Sequence, residues 1–156
     1  MIKSILRANR GERACRIIKT SKKLGIISSV IYSSEDENSL AVQMADHSFF
    51  LESKDGEKKE YLDTDQIISI ALKNKIEAIH PGYGFLSENA NFAKLVEDNG
   101  IKFIGPPYTA IKIMGDKIIS KKHAKNSGIS TIPGVQDEIK SFEDAVKASK
   151  KIGFPL

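Results

Sequence analysis

Three short stretches bring together residue types that could do chemistry. Ala8-Asn9-Arg10-Gly11-Glu12 sets an amide, a guanidinium and a carboxylate around a glycine that can turn sharply. It is not a GxGxxG fingerprint, so it gives no direct sign of a dinucleotide's pyrophosphate seat. An ordinary turn with Arg10 and Glu12 paired explains it as well as a ligand role does. Ile79-His80-Pro81-Gly82-Tyr83-Gly84-Phe85-Leu86-Ser87-Glu88-Asn89 carries two glycines two residues apart. Such a backbone must bend sharply or let something approach. Pro81 stiffens its entry, and Ser87, Glu88 and Asn89 can cap a following helix. His80 reads as a satisfied, partly buried histidine. Tyr83 reads either as a packed aromatic with a bonded hydroxyl or as a substrate contact. Met114-Gly115-Asp116-Lys117 puts a lysine beside a glycine at a helix start, where the helix dipole helps it meet a phosphate. A solvent-facing lysine is the plain alternative.

The elements that must hold these stretches alternate between apolar runs and helical periodicity. Strands are predicted over Ile2–Ala8, Ile26–Tyr32, His47–Leu51, Ile76–Ile79 and Ile101–Ile104. Gly11–Leu24 reads as a helix with Ala14, Ile17, Ile18 and Ser21 facing inward. Ser39–Ala45 reads as a short helix. Asp63–Asn74 reads as a longer one, capped by Asp63 or Thr64, with Ile67, Ile68, Ala71 and Leu72 on its apolar side. Asn89–Asn99 and Pro107–Met114 follow. Between them Ser53–Glu60 is a polar loop. The order strand, helix, strand predicts an α/β fold with a parallel sheet, nearly apolar strands and ligands at the strands' carboxyl ends. After about Met114 the texture changes: a lysine-dense helix over Asp116–Asn126, a break at Ile132-Pro133-Gly134, a helix over Ser141–Ile152 capped by Ser141, and an extended start at Gly153-Phe154-Pro155-Leu156.

Bulk properties narrow the classes. The 156 residues suffice for one domain and the start of a second. With 40% hydrophobic and 28% charged residues the composition is that of a soluble globular protein. No apolar run approaches the ~20 residues needed to span a bilayer, and Met1–Arg10 lacks the features of a secretory signal. One cysteine, Cys15, allows neither an internal disulfide nor a cysteine-based metal site. The net charge of +4 comes from interleaved lysines and acids, and no tryptophan is present, so no nucleic-acid face is expected.

ANRGE after the first strand, HPGYGFLSEN after the fourth and MGDK after the fifth resemble, in order and spacing, the biotin carboxylase family: the subunits and domains of acetyl-CoA, propionyl-CoA, methylcrotonyl-CoA and pyruvate carboxylases. The resemblance runs through Ile132-Pro133-Gly134 to Ile152-Gly153-Phe154-Pro155. It implies a Rossmann-like pre-ATP-grasp domain over residues 1–115 and a truncated start of the ATP-grasp domain over 116–156. It implies a reaction in which MgATP activates bicarbonate as carboxyphosphate and biotin on a carrier protein is carboxylated at its ureido nitrogen. By position, Lys117 would contact ATP. His80, Gly82, Tyr83, Gly84 and Glu88 would form the biotin-side loop, and Arg16, Lys19 and Lys23 the surface that pairs a homodimer. The Mg ligands and most catalytic residues would follow later in the family's chains, so this chain alone is expected to be inactive. A biotin carboxyl carrier protein or domain and a carboxyltransferase are the implied partners. The implied location is the bacterial cytoplasm or the mitochondrial matrix.

Two positions depart from the family's pattern. Arg7 stands where an aliphatic residue is usual in strand one, and Arg13 where an isoleucine is usual in the first turn of helix one. A charge in a central strand costs several kcal/mol unless paired, and a cation at a helix start opposes the dipole. Arg7→Ile and Arg13→Ile are therefore each expected to raise the melting temperature. Two other readings remain: a different ATP-grasp ligase with the same leading domain, and a non-enzymatic α/β binding or assembly module. The next stretch of reading frame discriminates them, since a glycine-rich loop flanked by lysines belongs to the carboxylase.

Overall fold

Every strand of the sheet runs in the same direction, as helices between successive strands require. In the computed structural model, which describes residues 1–53, 59–132, 134–135 and 139–154, the strands are β1 (Ser4–Arg7), β2 (Ile27–Tyr32), β3 (His47–Phe50), β4 (Ala78–His80) and β5 (Lys102–Phe103). Their order is β3-β2-β1-β4-β5. The chain moves outward from β1 in one direction, then returns to add β4 on its other side. The order therefore reverses between β1 and β4, and the crevice at their carboxyl ends is the place where open sheets of this kind take ligands. Register sets Arg7 beside Val30 on one neighbour and beside His80 on the other.

The helices are α1 (Gly11–Lys23), α2 (Leu40–Met44), α3 (Thr64–Lys73), α4 (Ala90–Asp98), α5 (Tyr108–Met114), α6 (Lys117–Asn126) and α7 (Phe142–Ile152). Five start on side-chain caps. Ser39, Asp63, Asn89, Asp116 and Ser141 accept amide hydrogen bonds at the heads of α2, α3, α4, α6 and α7, which satisfies donors no helix can pair internally. Leu6, Ile31, Ile67, Ile79, Phe92 and Val96 anchor one apolar core, and Ala14, Ile18, Val30 and Ala41 a second.

The chain divides into two compact units, Met1–Ile111 and Lys112–Leu156. The first holds the sheet and every buried residue among those described; the second, described by itself, holds α6 and α7, with Ile119, Ile132 and Phe142 at least half exposed. Much of the predicted loop Ser53–Glu60, and parts of the predicted Ile132–Gly134 break and Gly153–Leu156 extension, lie outside the described residues.

Several expectations need correction. Strands are shorter than the apolar runs that announced them: Ile76 and Ile101 are buried before their strands begin, with amides bonded to the Ala71 and Val96 carbonyls, and Ala8 is buried just past β1, its amide still donating to the His80 carbonyl. The strands are also less apolar than a twice-covered sheet suggests: Arg7, Ser28 and Ser29 are fully buried. Cys15, not Ile17, completes the buried face of α1. Leu72 is 48% exposed, being one step past the stripe formed by Ile67, Ile68 and Ala71.

Candidate ligand-facing site at the strand ends

A buried side chain, Asn9, fastens the turn leaving β1 to the turn leaving β4. Asn9 is 1% exposed. Its Nδ2 donates to the carbonyls of Pro81, at 2.7 Å, and Tyr83, at 3.1 Å, while its Oδ1 accepts from the Arg10 amide at 2.9 Å. A buried amide with all these bonds made is a rigid staple. Gly82 sits against it at φ +72°, and a Cβ there would lie 2.6 Å from Asn9 Nδ2. The first glycine of the loop is thus required by a close approach as well as by its backbone angle. The loop continues through Gly84 at φ +65° and Phe85 at φ +48°, a left-handed conformation that a phenylalanine holds only when its surroundings impose it.

His80 anchors the same loop from within. Its Nδ1 accepts the Gly82 amide at 3.0 Å, which fixes the unprotonated nitrogen. Burial, aided by the neighbouring Arg7 guanidinium, holds its pKa below the ordinary histidine value. The satisfied, partly buried reading is the one this geometry matches.

Tyr83 is 57% exposed at the crevice mouth. Its hydroxyl donates to Glu12 Oε1 at 2.6 Å. The Arg13 guanidinium carbon lies 3.8 Å from its ring centroid, and Arg13 Nη1 donates to the Tyr83 carbonyl at 3.0 Å. Arg13, the cation expected to oppose the dipole at this helix start, therefore has contacts to Tyr83 that Arg13→Ile would remove. The pairing of Arg10 with Glu12 is corrected. Arg10 bonds Asp36 at 2.8 Å, and Asp36 also accepts the Tyr61 hydroxyl at 2.6 Å. Burial, reinforced by Asp36, keeps that hydroxyl well above the usual phenol range. Of the three possible caps for the helix after the loop, Asn89 takes the role, accepting the Phe92 amide at 3.0 Å. Glu88 is exposed, without a hydrogen bond or ion pair among the described residues.

Below the crevice Arg7 is 0% exposed. Its Nη1 donates to the Ser29 carbonyl at 3.1 Å and its Nη2 to Ser21 Oγ at 2.8 Å. Nε has no acceptor, and no carboxylate pairs with it among the described residues. Burial pushes its pKa down to about 10, with the field of Asp46 working the other way.

The remaining expected positions lie elsewhere. Arg16, Lys19 and Lys23 are exposed on α1. Arg16 donates to Thr20 Oγ1 and, with Lys19, Cys15 and Leu40, lines a shallow groove of about 410 Å³ between α1 and α2. Lys117 is the first residue of α6 in the second unit, and it is exposed. The Ile118 and Ile119 amides at that helix start are already taken by Asp116, at 2.9 and 2.8 Å. Those two amides are therefore not free for an anion arriving there. No three His, Cys, Asp or Glu side chains are grouped to hold a metal among the described residues.

Sequence reasoning missed Asn9 as the staple and Asp36 and Tyr61 as the network behind Arg10. An asparagine at a strand end, just before a glycine, was the available signal for the first; nothing local marked the other two.

A parallel sheet whose strand order reverses between β1 and β4, with two interlocked turns at that point, defines a Rossmann-like α/β domain. The sequence matches the family described as "Biotin carboxylase, N-terminal domain" over residues 1–111, and the chain belongs to that family. It is 46% identical over its full length to the propionyl-CoA carboxylase alpha chain of Ruegeria pomeroyi, covering 23% of that protein. It is 47% identical over 155 residues to the mitochondrial methylcrotonoyl-CoA carboxylase subunit alpha of Dictyostelium discoideum, covering 22% of it. The chain thus spans about a quarter of the length of these relatives. Among solved structures it is similar to the biotin carboxylase domain dimer of Hydrogenobacter thermophilus 2-oxoglutarate carboxylase, in complex with MgADP, ADP and bicarbonate. That similarity has a TM-score of 0.93 at 44% identity and covers 99% of this chain and 34% of that one.

Proposed function

We propose that this chain is the amino-terminal part of a biotin carboxylase that uses MgATP and bicarbonate to carboxylate biotin on a carrier protein or domain, for transfer by a carboxyltransferase. The observation that carries the reading is the Asn9 staple, which joins the ANRGE and HPGYGFLSEN turns into one wall at the β1/β4 switch point. In this reading residues 1–115 are the pre-ATP-grasp domain and 116–156 open the ATP-grasp domain. His80, Gly82, Tyr83, Gly84 and Glu88 form the biotin-side loop, with the exposed Tyr83 ring as its contact surface and His80 as an internal anchor. Lys117 meets ATP phosphate through its charge, and Arg16, Lys19 and Lys23 lie on a homodimer surface. The residues that ligate Mg and handle bicarbonate come from outside this chain. The protein acts in the bacterial cytoplasm, or in the mitochondrial matrix if its host is eukaryotic.

Fixation of labelled bicarbonate onto free biotin tests this. The polypeptide that carries this chain should form carboxybiotin only with MgATP present, and residues 1–156 alone should form none. Turnover by the 156-residue chain, or none by the larger polypeptide, contradicts the reading.

A further inference from the structure

Tyr83 is held at three points, and each of them involves Arg13 or its neighbour Glu12. The carbonyl accepts from both Asn9 Nδ2 and Arg13 Nη1, the ring lies under the Arg13 guanidinium at 3.8 Å, and the hydroxyl is bound by Glu12 at 2.6 Å. Glu12 Oε1 lies 3.9 Å from Arg13 Nε, so the clamp is charge-balanced. The segment it grips passes through three consecutive or near-consecutive left-handed residues, Gly82, Gly84 and Phe85. Such a backbone has other conformations open to it, and contacts from outside must select this one. Gly84 is set by its φ of +65° and not by crowding, since a Cβ there would lie 3.4 Å from Arg13 Nη1, an ordinary contact.

A guanidinium stacked on a ring occupies one face and leaves the other. Tyr83 is 57% exposed even with Arg13 over its ring, so ring surface remains for a planar group. We propose that Arg13 is a positioning residue: it clamps Tyr83 so that the uncovered face of the ring is presented in one fixed pose to the planar ureido ring of biotin. The role rests on the reading of this loop as biotin-facing. Arg13 touches no reacting atom; it removes the conformational freedom that Tyr83 would otherwise lose on binding. An isoleucine at this position could neither stack as a cation nor donate to the carbonyl.

Two measurements separate this role from the function it serves. In the 156-residue chain, Arg13→Ile should lower the amide order parameters of Gly82, Tyr83 and Gly84 from the rigid range near about 0.85 toward about 0.6, with the fold retained. Arg13→Gln, which keeps a donor but loses the cationic stack, provides the same test should the isoleucine variant not fold. Unchanged order overturns the clamp. In the larger polypeptide, Arg13→Ile should raise KM for free biotin about five- to tenfold, the range of a partly desolvated cation–π contact, with KM for MgATP unmoved. Arg13→Lys should recover part of that loss. Unchanged KM for biotin beside a loosened loop overturns the positioning role. If the wild-type polypeptide carboxylates no biotin, the function reading and the positioning role fall together, while the order parameters still decide the clamp.

Discussion

Replacing Arg7 by an apolar residue should stabilise the chain, although the arginine makes two good hydrogen bonds. The side chain is completely buried in the central strand, with Nε lacking an acceptor and no carboxylate paired to it among the described residues. A guanidinium whose pKa falls from 12.5 to about 10 carries roughly 3 kcal/mol against its charged form. Arg7→Ile removes that penalty. It also withdraws donors from the Ser29 carbonyl and from Ser21 Oγ, at about 1 kcal/mol each. Ser21 keeps its bond to the Ile17 carbonyl, so its loss is at the low end. The balance is a gain of about 1 kcal/mol, or a rise of about 3–5 °C in melting temperature for a unit of this size. Arg7→Met refills more of the vacated volume and should gain as much or more. Arg7→Lys keeps the charge, loses the fork and should melt lower than the wild type. Calorimetry at pH 7 on the four proteins decides the matter. A fall of several degrees in both apolar variants would show that the guanidinium is compensated in a way this geometry does not contain.

Other consequences follow from the same contacts. Gly82→Ala should cost about 2–3 kcal/mol, since it adds a clash with Asn9 to the penalty for φ +72°, whereas Gly100→Ala, at φ +73° with nothing within 4 Å, should cost only about 1 kcal/mol; urea melts of both separate strain from the staple. Asn89→Ala removes the cap that accepts the Phe92 amide and should cost about 1 kcal/mol, read by thermal melting. Because the folded pKa of His80 is depressed, the unfolded chain takes up the proton first as the medium is acidified. Its contribution is therefore complete above the ordinary histidine value near 6.5 and falls through the interval below it, by up to about 1.4 kcal/mol per pH unit. His80→Asn, which offers an oxygen to the Gly82 amide, should flatten the melting curve against pH in that interval. The Asp46 carboxylate, held low chiefly by the Ser28 amide and hydroxyl, gives way only in more acid solution, so the two effects are separable.

The fold could be read from periodicity because each element does one thing. Apolar runs of four to seven residues between helical stretches left little choice but a parallel sheet, and the capping residues Asp63, Asn89 and Ser141 were legible as types. Strand limits were not, since Ile76 and Ile101 are buried by packing and not by pairing. The site was half legible. The motifs marked which turns matter, but not how they interlock: Asn9 reaches across 72 and 74 residues to its acceptors, and no local pattern encodes such a reach. The contacts of Arg13 were out of reach for the same reason. Local rules weigh a cation at a helix start against the dipole, whereas its worth is set by a tyrosine 70 residues away. Asp36 and Tyr61, which meet behind Arg10, lie in segments whose residue types are ordinary for turns.

The central claim is that the turns after β1 and β4 act as one biotin-facing wall because Asn9 joins them. Steady-state kinetics of Asn9→Ala in the larger polypeptide tests it most directly. KM for free biotin should rise by at least about tenfold, the effect of losing one or two buried hydrogen bonds from the wall, while KM for MgATP stays within about twofold. A folded Asn9→Ala protein with an unaltered KM for biotin would contradict it.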